Sequence, residues 1–383
     1  MKCLHVFTLI STAGFFDGQY KFLVDKGHKI TVCSSPADAS KFCKDNSVDY
    51  IPLEVARRVD IKADMATIKT LCKIIKQGKY DAVFGHTPKG AMVAMIAAWL
   101  SRVPVRVYYR HGLIYTTTSG LKRFIFKSVE QMTALFANHI INVSPSLSAL
   151  AVKDHLNGDK KQTVMGAGTC GGIDAISKFN PALAKKEDIA SLKESLGISP
   201  NDYVVGFCGR ICTDKGIREL INGFKLFQKQ NPNVHAKLLL VGPMDARDHL
   251  DPSYVEEINS CADIIATGRV TEHIERYYAA MDVFVFPSYR EGFGMCVIEA
   301  SAMEKPILVS RSHGCVDSIR AGVTGQYIDL TPVSIAEGLS DMLDESKRYQ
   351  LGTQGRQFVL TNFERTNMWP LIGAYYESLR NNN

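Results

Sequence analysis

Residues 283–304 read VFVFPSYREGFGMCVIEASAME and combine three local patterns in a row. Val283–Phe286 is a short apolar run of β-prone residues, which predicts a buried strand. A glycine loop, Gly292–Gly294, follows, and helical periodicity starts directly after it. Backbone amides at the start of a helix are free to bind anions or hydroxyls, and glycines let a ligand approach the backbone closely. We therefore expect Glu291 in the loop and Glu299, about one turn into the helix, to face the same crevice.

The Glu-x7-Glu spacing in this context resembles the signature of retaining glycosyltransferases of the GT-B fold, glycosyltransferase family 4. The resemblance implies an α/β protein with two Rossmann-like domains that face a central cleft. It implies that Glu291 acts as a catalytic residue beside the donor sugar, and that Glu299 holds the ribose hydroxyls. The donor-binding segment that it implies comprises Glu291, Gly292, Phe293, Gly294, Met295 and Glu299. The alternative is a surface acid and a helix acid that merely flank a turn.

Two series of alternating strands and helices divide the chain. The first opens with a strand over Leu4–Ile10 and a helix over Phe15–Lys26, the start of a βαβ unit of the kind that builds parallel sheets. The second series begins at Tyr203, after a helical linker. With the resemblance, these series predict an acceptor-binding domain over residues 1–180, a nucleotide-sugar-binding domain over residues 181–363, and a final helix, about 364–383, that packs back on the first domain.

Two residues of the first series are candidates for the donor site. Gly14 lies in a turn of small residues before the predicted helix, where it would let a diphosphate approach the helix start. His111 follows the predicted strand Val105–Tyr109, and ligands of open α/β sheets bind at the carboxyl ends of such strands. The resemblance implies that His111 contacts the donor sugar near the reaction centre; a histidine that only caps a turn is the alternative. His86, at another strand end, is interpreted as structural.

The first loop of the second series contains two basic residues that are candidates for binding a diphosphate. Arg210 and Lys215 follow a predicted strand and precede a helix. Arginine can bind a diphosphate through two hydrogen bonds, and fixed cations stabilise the charge that grows on a leaving phosphate. The resemblance implies this role for both residues, and it implies nucleotide-base contacts for Arg269 and Val270. A charged turn and an ordinary strand-exit loop are the alternatives.

Composition and charge limit the class of protein. The chain has 383 residues, enough for about two domains, and ten cysteines without a CxxC pair, which favours reduced thiols in the cytoplasm. No secretory signal and no membrane-spanning run is found in the sequence. Residues 1–180 carry 24 Lys and Arg against 13 Asp and Glu, a net charge of +11, whereas the remainder carries 21 against 26, a net charge of −5. A basic first half suits an acidic surface or a phosphate-bearing partner; an uneven soluble surface is the alternative.

The predicted helix Leu121–Ala137 has a basic and aromatic face with Lys122, Phe124 and Lys127. Such a face can rest on anionic lipid headgroups, which would place the protein peripherally on the inner side of the cell membrane. It can equally be a solvated face over buried phenylalanines.

Together, these features and the resemblance predict a retaining enzyme that transfers a hexose or N-acetylhexosamine from a nucleotide sugar, with UDP as the default nucleotide. The expected acceptor is a saccharide, lipid-linked, in the synthesis of capsular or other surface polysaccharides. No metal or other cofactor and no nucleic-acid partner are expected, and no Asp-x-Asp pair is present near Arg210 and Lys215 to hold a metal. The alternatives are a GT-B nucleotide-sugar epimerase or hydrolase and a non-catalytic nucleotide-sugar-binding protein.

Overall fold

The protein is described by a computed structural model that covers residues 1–56, 60–245 and 248–381. Its chain divides into two compact units, each built around one parallel sheet. The first unit comprises Met1–Gly172 and Thr366–Asn383, and the second comprises Ile173–Arg365. The boundary predicted from the sequence, after residue 180, lies a few residues later in the chain.

The sheet of the first unit consists of seven parallel strands in the order β3-β2-β1-β4-β5-β6-β7. Its central strands are buried on both faces, as the apolar runs in the sequence predict. The strands are β1 Lys2–Val6, β2 Lys29–Ser34, β3 Asp49–Pro52, β4 Ala82–His86, β5 Val105–Arg110, β6 His139–Asn142 and β7 Gln162–Val164.

In the described part of the first unit, six α-helices connect these strands, and one of them is predominantly apolar. They are α1 Gln19–Asp25, α2 Ser40–Asn46, α3 Ile61–Gly78, α4 Pro88–Leu100, α5 Gly120–Phe136 and α6 Pro145–Lys153. Helix α4 packs against the sheet between α3 and α5, and its small buried residues Ala94 and Ala98 permit this close approach. The sequence of α3 is amphipathic by contrast, with lysines on its outer side.

The second unit has a six-stranded parallel sheet in the order β10-β9-β8-β11-β12-β13. Its strands are β8 Tyr203–Cys208, β9 Ala236–Val241, β10 Ile264–Ala266, β11 Val283–Phe286, β12 Ile307–Ser310 and β13 Gly325–Ile328. Its helices are α7 Lys186–Ser195, α8 Ile217–Gln230, α9 Pro252–Ser260, α10 Ile274–Ala280, α11 Met295–Ala302, α12 Pro332–Asp341 and α13 Glu345–Asn362.

The last helix, α14, spans Arg365–Asn381 and packs on the first unit. The Tyr376 ring stacks on Phe84 of β4 with a centroid distance of 4.9 Å. The Trp369 indole Nε1 donates a hydrogen bond of 2.9 Å to the carbonyl oxygen of Gly171. Aromatic side chains of the last helix therefore complete the core of the first unit.

The predicted helix Phe15–Lys26 is wrong at its start. Ile10–Phe16 forms a 3₁₀ helix, and α1 begins only at Gln19. The break occurs at Gly18, which has φ +74°, and a Cβ there would lie 2.8 Å from the Trp369 ring. Its amide is bound by the side chain of Asn46 at 2.8 Å. Gly18, in a left-handed conformation and in contact with Trp369 and Asn46, therefore ends the 3₁₀ helix, and a new helix starts after it.

Candidate functional site

The loop after β8 carries the two predicted diphosphate-binding cations in the second unit. Arg210 follows Gly209, and Lys215 ends the 3₁₀ turn Thr213–Lys215 directly before α8. Gly216 has φ +68°, and a side chain there would collide with the Pro287 carbonyl group at the end of β11. Glycine is thus required for the β8 loop to lie against the β11 loop, which holds Glu291.

Each cation of this loop is paired with a carboxylate. The Lys215 ammonium is hydrogen-bonded to Glu291, and both side chains are largely buried. Burial lowers the pKa of Lys215, but the charge and hydrogen bond of Glu291 outweigh it, so the pKa lies above its usual value. The Arg210 guanidinium is bound to Asp245, and it is half exposed. The structure therefore brings Lys215 and Glu291 into direct contact.

Close packing fixes the Gly292–Gly294 loop. Phe293 is buried against Phe363, with ring centroids 5.2 Å apart. A side chain at Gly314 would lie 2.6 Å from the carbonyl oxygen of Gly292, so the two loops meet backbone to backbone. Gly294 is the N-cap of α11, and half-buried Met295 is the first residue of that helix.

Glu299 lies inside α11 and is largely buried. The Tyr278 hydroxyl donates a hydrogen bond of 2.7 Å to its Oε2. Burial raises the pKa of the Glu299 carboxyl above its usual value, and the hydrogen bond from Tyr278 opposes that rise. Tyr278 was absent from the sequence-based candidates, because nothing in the sequence indicates that α10 packs beside α11.

Arg269 and Val270 follow β10, at the outer edge of the sheet. The loop starts at Gly268, which bridges to Gly242 at the end of β9. The strand order β10-β9-β8-β11 places β9 between this loop and the strand before Arg210. Arg269 and Val270 thus share the carboxyl edge of the sheet with Lys215 but lie farther along it.

In the first unit, His111 follows β5 and both of its ring nitrogens have partners. Its Nε2 lies 3.1 Å from Nδ1 of His86, and its Nδ1 lies 3.3 Å from Sγ of Cys170. Burial lowers the pKa of His111 to about 4, so the ring is neutral at pH 7. The contact between His86 and His111 was not predicted, since it depends on β4 and β5 being neighbours in the sheet.

Gly14 lies inside the 3₁₀ helix Ile10–Phe16 and not at a helix start. The predicted position of Gly14 at the start of the next helix is therefore not observed, because α1 begins only at Gln19, and the contact of Gly14 with a diphosphate stays a prediction. A Cβ at Gly14 would meet no atom within 4 Å, so the space beside this backbone is open.

Comparison with known proteins decides the family. The model of glycosyl transferases group 1 matches residues 202–345, and that of Glycosyltransferase Family 4 matches residues 19–164. The capsular polysaccharide biosynthesis glycosyltransferase CapM of Staphylococcus aureus is 30% identical over 98% of this chain and 97% of its own. The chain belongs to glycosyltransferase family 4.

One further relative and one solved structure are similar to this glycosyltransferase. The UDP-Gal:alpha-D-GlcNAc-diphosphoundecaprenol alpha-1,3-galactosyltransferase of Escherichia coli is 25% identical over 79% of this chain and 76% of its own. Anabaena Alr3699/HepE, solved in complex with UDP and glucose, superimposes with a TM-score of 0.82 at 17% identity, over 99% of this chain and 100% of its own. The glycosyltransferase therefore has the GT-B fold, as the resemblance implied.

None of the helices in the described parts of the chain combines the length and the apolar composition needed to cross a bilayer.

Proposed function

We propose that this glycosyltransferase moves a hexose or N-acetylhexosamine from a UDP-linked donor to a lipid-linked saccharide, with retention of anomeric configuration, in the synthesis of a capsular or other surface polysaccharide. Similar proteins support the substrate classes: the galactosyltransferase of Escherichia coli acts on a saccharide attached to diphosphoundecaprenol, and HepE was solved with UDP and glucose. CapM supports the assignment to capsular polysaccharide.

The observation that carries the proposal is the pairing of Lys215 with Glu291 at the carboxyl edge of the second sheet, beside Arg210. As the bond to the sugar breaks, negative charge grows on the leaving diphosphate. A lysine and an arginine held in place can stabilise that charge without reorganisation. The proposal gives this task to side chains and includes no metal ion.

The remaining residues have roles that extend the same proposal. Glu291 orients hydroxyls of the donor sugar, and Glu299 binds the ribose hydroxyls. The amides at the start of α11, from Gly294 onward, face the diphosphate. Contacts to the nucleotide base come from the loop of Arg269 and Val270. The roles implied for His111 and Gly14 belong to the same proposal.

A turnover assay tests the proposed function. The purified protein is incubated with a panel of UDP-sugars, with and without undecaprenyl-diphosphate-linked saccharides, and both UDP and glycosylated lipid are measured. We expect UDP release that requires the acceptor, and a loss of about two orders of magnitude in Arg210→Ala, the scale of one charge-stabilising group. Equal UDP release without any acceptor would favour a hydrolase or epimerase, and no release with full UDP binding would favour a binding protein.

The proposal includes peripheral contact with an anionic membrane. Helix α5 exposes Leu121 to 74% and Phe124 to 68%, beside the exposed Lys122. The groove between the neighbouring helices α3 and α4 continues this composition with apolar Met65, Ile68, Cys72, Ile96 and Leu100 and basic Lys69, Lys73 and Lys76. Apolar side chains framed by lysines match a surface of anionic headgroups over acyl chains.

Sedimentation with vesicles tests this contact. Vesicles of phosphatidylglycerol should bind the protein, and vesicles of phosphatidylcholine should bind it far less. A double variant, Leu121→Ser with Phe124→Ser, should lose most of the binding, whereas Leu183→Ser, which changes a similarly exposed leucine of the second unit, should keep it. Equal binding to both kinds of vesicle, or no effect of the double variant, would count against the contact.

A further inference from the structure

Three histidines form a continuous hydrogen-bonded chain through the sheet of the first unit. His5 on β1, His86 at the end of β4 and His111 after β5 come from three strands that are neighbours in the sheet. Nδ1 of His5 lies 3.0 Å from Nε2 of His86, and Nδ1 of His86 lies 3.1 Å from Nε2 of His111. His5 and His86 are fully buried.

Side chains at both ends of the row extend it. At the inner end, the Tyr20 hydroxyl lies 3.0 Å from Nδ1 of His5, and the Tyr376 hydroxyl lies 3.4 Å from its Nε2. At the outer end, the Cys170 thiol lies 3.3 Å from Nδ1 of His111. We call His5, His86 and His111 the histidine chain. It links the core of the first unit to the residue that the proposed function places at the donor sugar.

The tautomers of these rings are coupled by their geometry. A neutral imidazole carries one N–H donor and one acceptor nitrogen. Because each contact joins Nδ1 of one ring to Nε2 of the next, a proton on Nε2 of His86 requires an acceptor at Nδ1 of His5 and a donor at Nε2 of His111. The three rings therefore carry their protons either all on Nε2 or all on Nδ1.

The contacts at the inner end are compatible with both arrangements. With all protons on Nε2, Nδ1 of His5 accepts from Nε2–H of His86, and Nε2–H of His5 donates to the Tyr376 hydroxyl. With all protons on Nδ1, Nδ1–H of His5 donates to Nε2 of His86, and the Tyr376 hydroxyl donates to Nε2 of His5. The geometry thus couples the three tautomers, and a change at one ring must be matched at the other two.

The consequence falls on Nδ1 of His111, whose donor or acceptor character is set by the other two rings. The Cys170 thiol beside it is weak both as a donor and as an acceptor. A hydroxyl is a stronger partner of either kind, so Nδ1 is suited to a substrate hydroxyl while Nε2 stays bound to His86.

We propose that His86 and His5 are positioning residues that hold His111 in one tautomer, so that its Nδ1 presents a fixed donor or a fixed acceptor to a substrate hydroxyl. The inference rests on the proposed transferase function for its catalytic consequence only. The tautomer itself is a property of the unliganded protein. Burial supports the neutral rings, since it lowers the pKa of His5 to about 3 and that of His111 to about 4.

Nitrogen NMR of protein labelled with ¹⁵N-histidine measures the tautomers directly, because protonated and unprotonated ring nitrogens differ widely in chemical shift. The resonances are assigned from single variants at each of the three positions. We expect all three rings of the wild-type protein to carry the proton on the same kind of nitrogen, either all on Nε2 or all on Nδ1. A mixture of the two kinds among the three rings, or a charged ring at pH 7, would overturn the proposal.

Variants of His86 test the catalytic consequence. His86→Leu removes both hydrogen bonds, and we expect mixed tautomers at His111. We expect a kcat lower by about 10- to 100-fold, by analogy with the loss in metal sites when a partner that orients a ligating histidine is removed. His86→Gln supplies one donor and one acceptor and should restore most of the kcat and the tautomer. His139→Gln, on β6 of the same sheet and outside the chain, is the matched control and should change neither.

The outcomes separate this inference from the proposed function. If His86→Leu leaves both the His111 tautomer and kcat unchanged while the fold is retained, the positioning role is refuted. If the wild-type protein transfers no sugar, the proposed function fails, and the catalytic part of the inference fails with it, but the tautomer measurement still decides whether the chain orders His111. A kcat loss in His86→Leu with an unchanged tautomer would assign His86 a purely structural role and overturn the inference.

Discussion

Substitutions in the ion pair between Lys215 and Glu291 should affect the stability of the second unit and its affinity for a diphosphate differently. The two side chains are only 13% and 14% exposed. An exposed pair contributes about 0–1 kcal/mol, whereas removing one partner of a fully buried pair costs about 3–5 kcal/mol. For this nearly buried pair, we expect Glu291→Gln to lower the free energy of unfolding by about 2–3 kcal/mol. In a unit of this size that corresponds to about 5–10 °C in melting temperature.

The Kd for UDP should respond differently to substitution of Glu291 and of Lys215. Glu291→Gln frees Lys215 for a ligand, so the Kd for UDP should stay equal or fall. Lys215→Met removes a cation and should raise that Kd by about 10- to 100-fold, the loss of one charge-assisted contact. The two single variants and the double variant form a double-mutant cycle. For each of them, calorimetry measures the Kd for UDP and thermal melts measure the stability.

One result would refute this reasoning. If Lys215→Met binds UDP as the wild-type protein does and is destabilised as much as Glu291→Gln, Lys215 serves only as a structural partner of Glu291. The matched control is Lys225→Met, which breaks an ion pair of the same unit with Glu257 on α8 and α9. This variant should leave the Kd unchanged.

Three further predictions concern Arg210, Glu299 and the histidine chain. Asp245→Asn should release the half-exposed Arg210 and strengthen UDP binding by a few-fold in calorimetry. Tyr278→Phe should remove a charge-assisted hydrogen bond from Glu299, raise the pKa of that carboxyl further, and destabilise the second unit by about 1.5–3 kcal/mol in denaturant unfolding. The buried histidine chain should make the first unit less stable in acid. Its lowered pKa values mean that the folded state binds fewer protons than the unfolded state below pH 6.5, so stability is full above that pH and falls toward pH 4 by up to about 1.4 kcal/mol per pH unit for each histidine.

Each of these predictions has its own check. Weaker UDP binding in Asp245→Asn would mean that Asp245 orients Arg210 for the ligand. An unchanged unfolding curve in Tyr278→Phe would mean that water replaces the lost hydroxyl. Stability of the first unit that is constant from pH 7 to pH 5, or the same acid sensitivity in His5→Phe, would contradict the account of the histidine chain.

The fold and the second unit followed from local sequence patterns. The apolar run at β11, the glycine loop and the helix after it lie where their residues predict, because the strand, the loop and the helix each depend on neighbours in sequence. Glu291 and Lys215 meet because both follow strands of one parallel sheet, and such loops share an edge.

The features that sequence reasoning missed depend on strand order and on distant packing. His5, His86 and His111 are far apart in sequence and meet only because β1, β4 and β5 are adjacent. The break before α1 depends on Trp369, a residue near the opposite end of the chain, which presses on Gly18. No local pattern reports either contact.

The position of α14 has a consequence for how the protein is made. Tyr376 closes the aromatic stack on Phe84, but the ribosome must first synthesise all of Ile173–Arg365. At about 5–20 residues per second, the first sheet would wait roughly 10–40 s for its last helix. During this time the nascent first unit has an uncovered apolar face. A premature stop codon in the last turns of α14 would therefore damage the first unit, which is synthesised first, and leave the second unit intact.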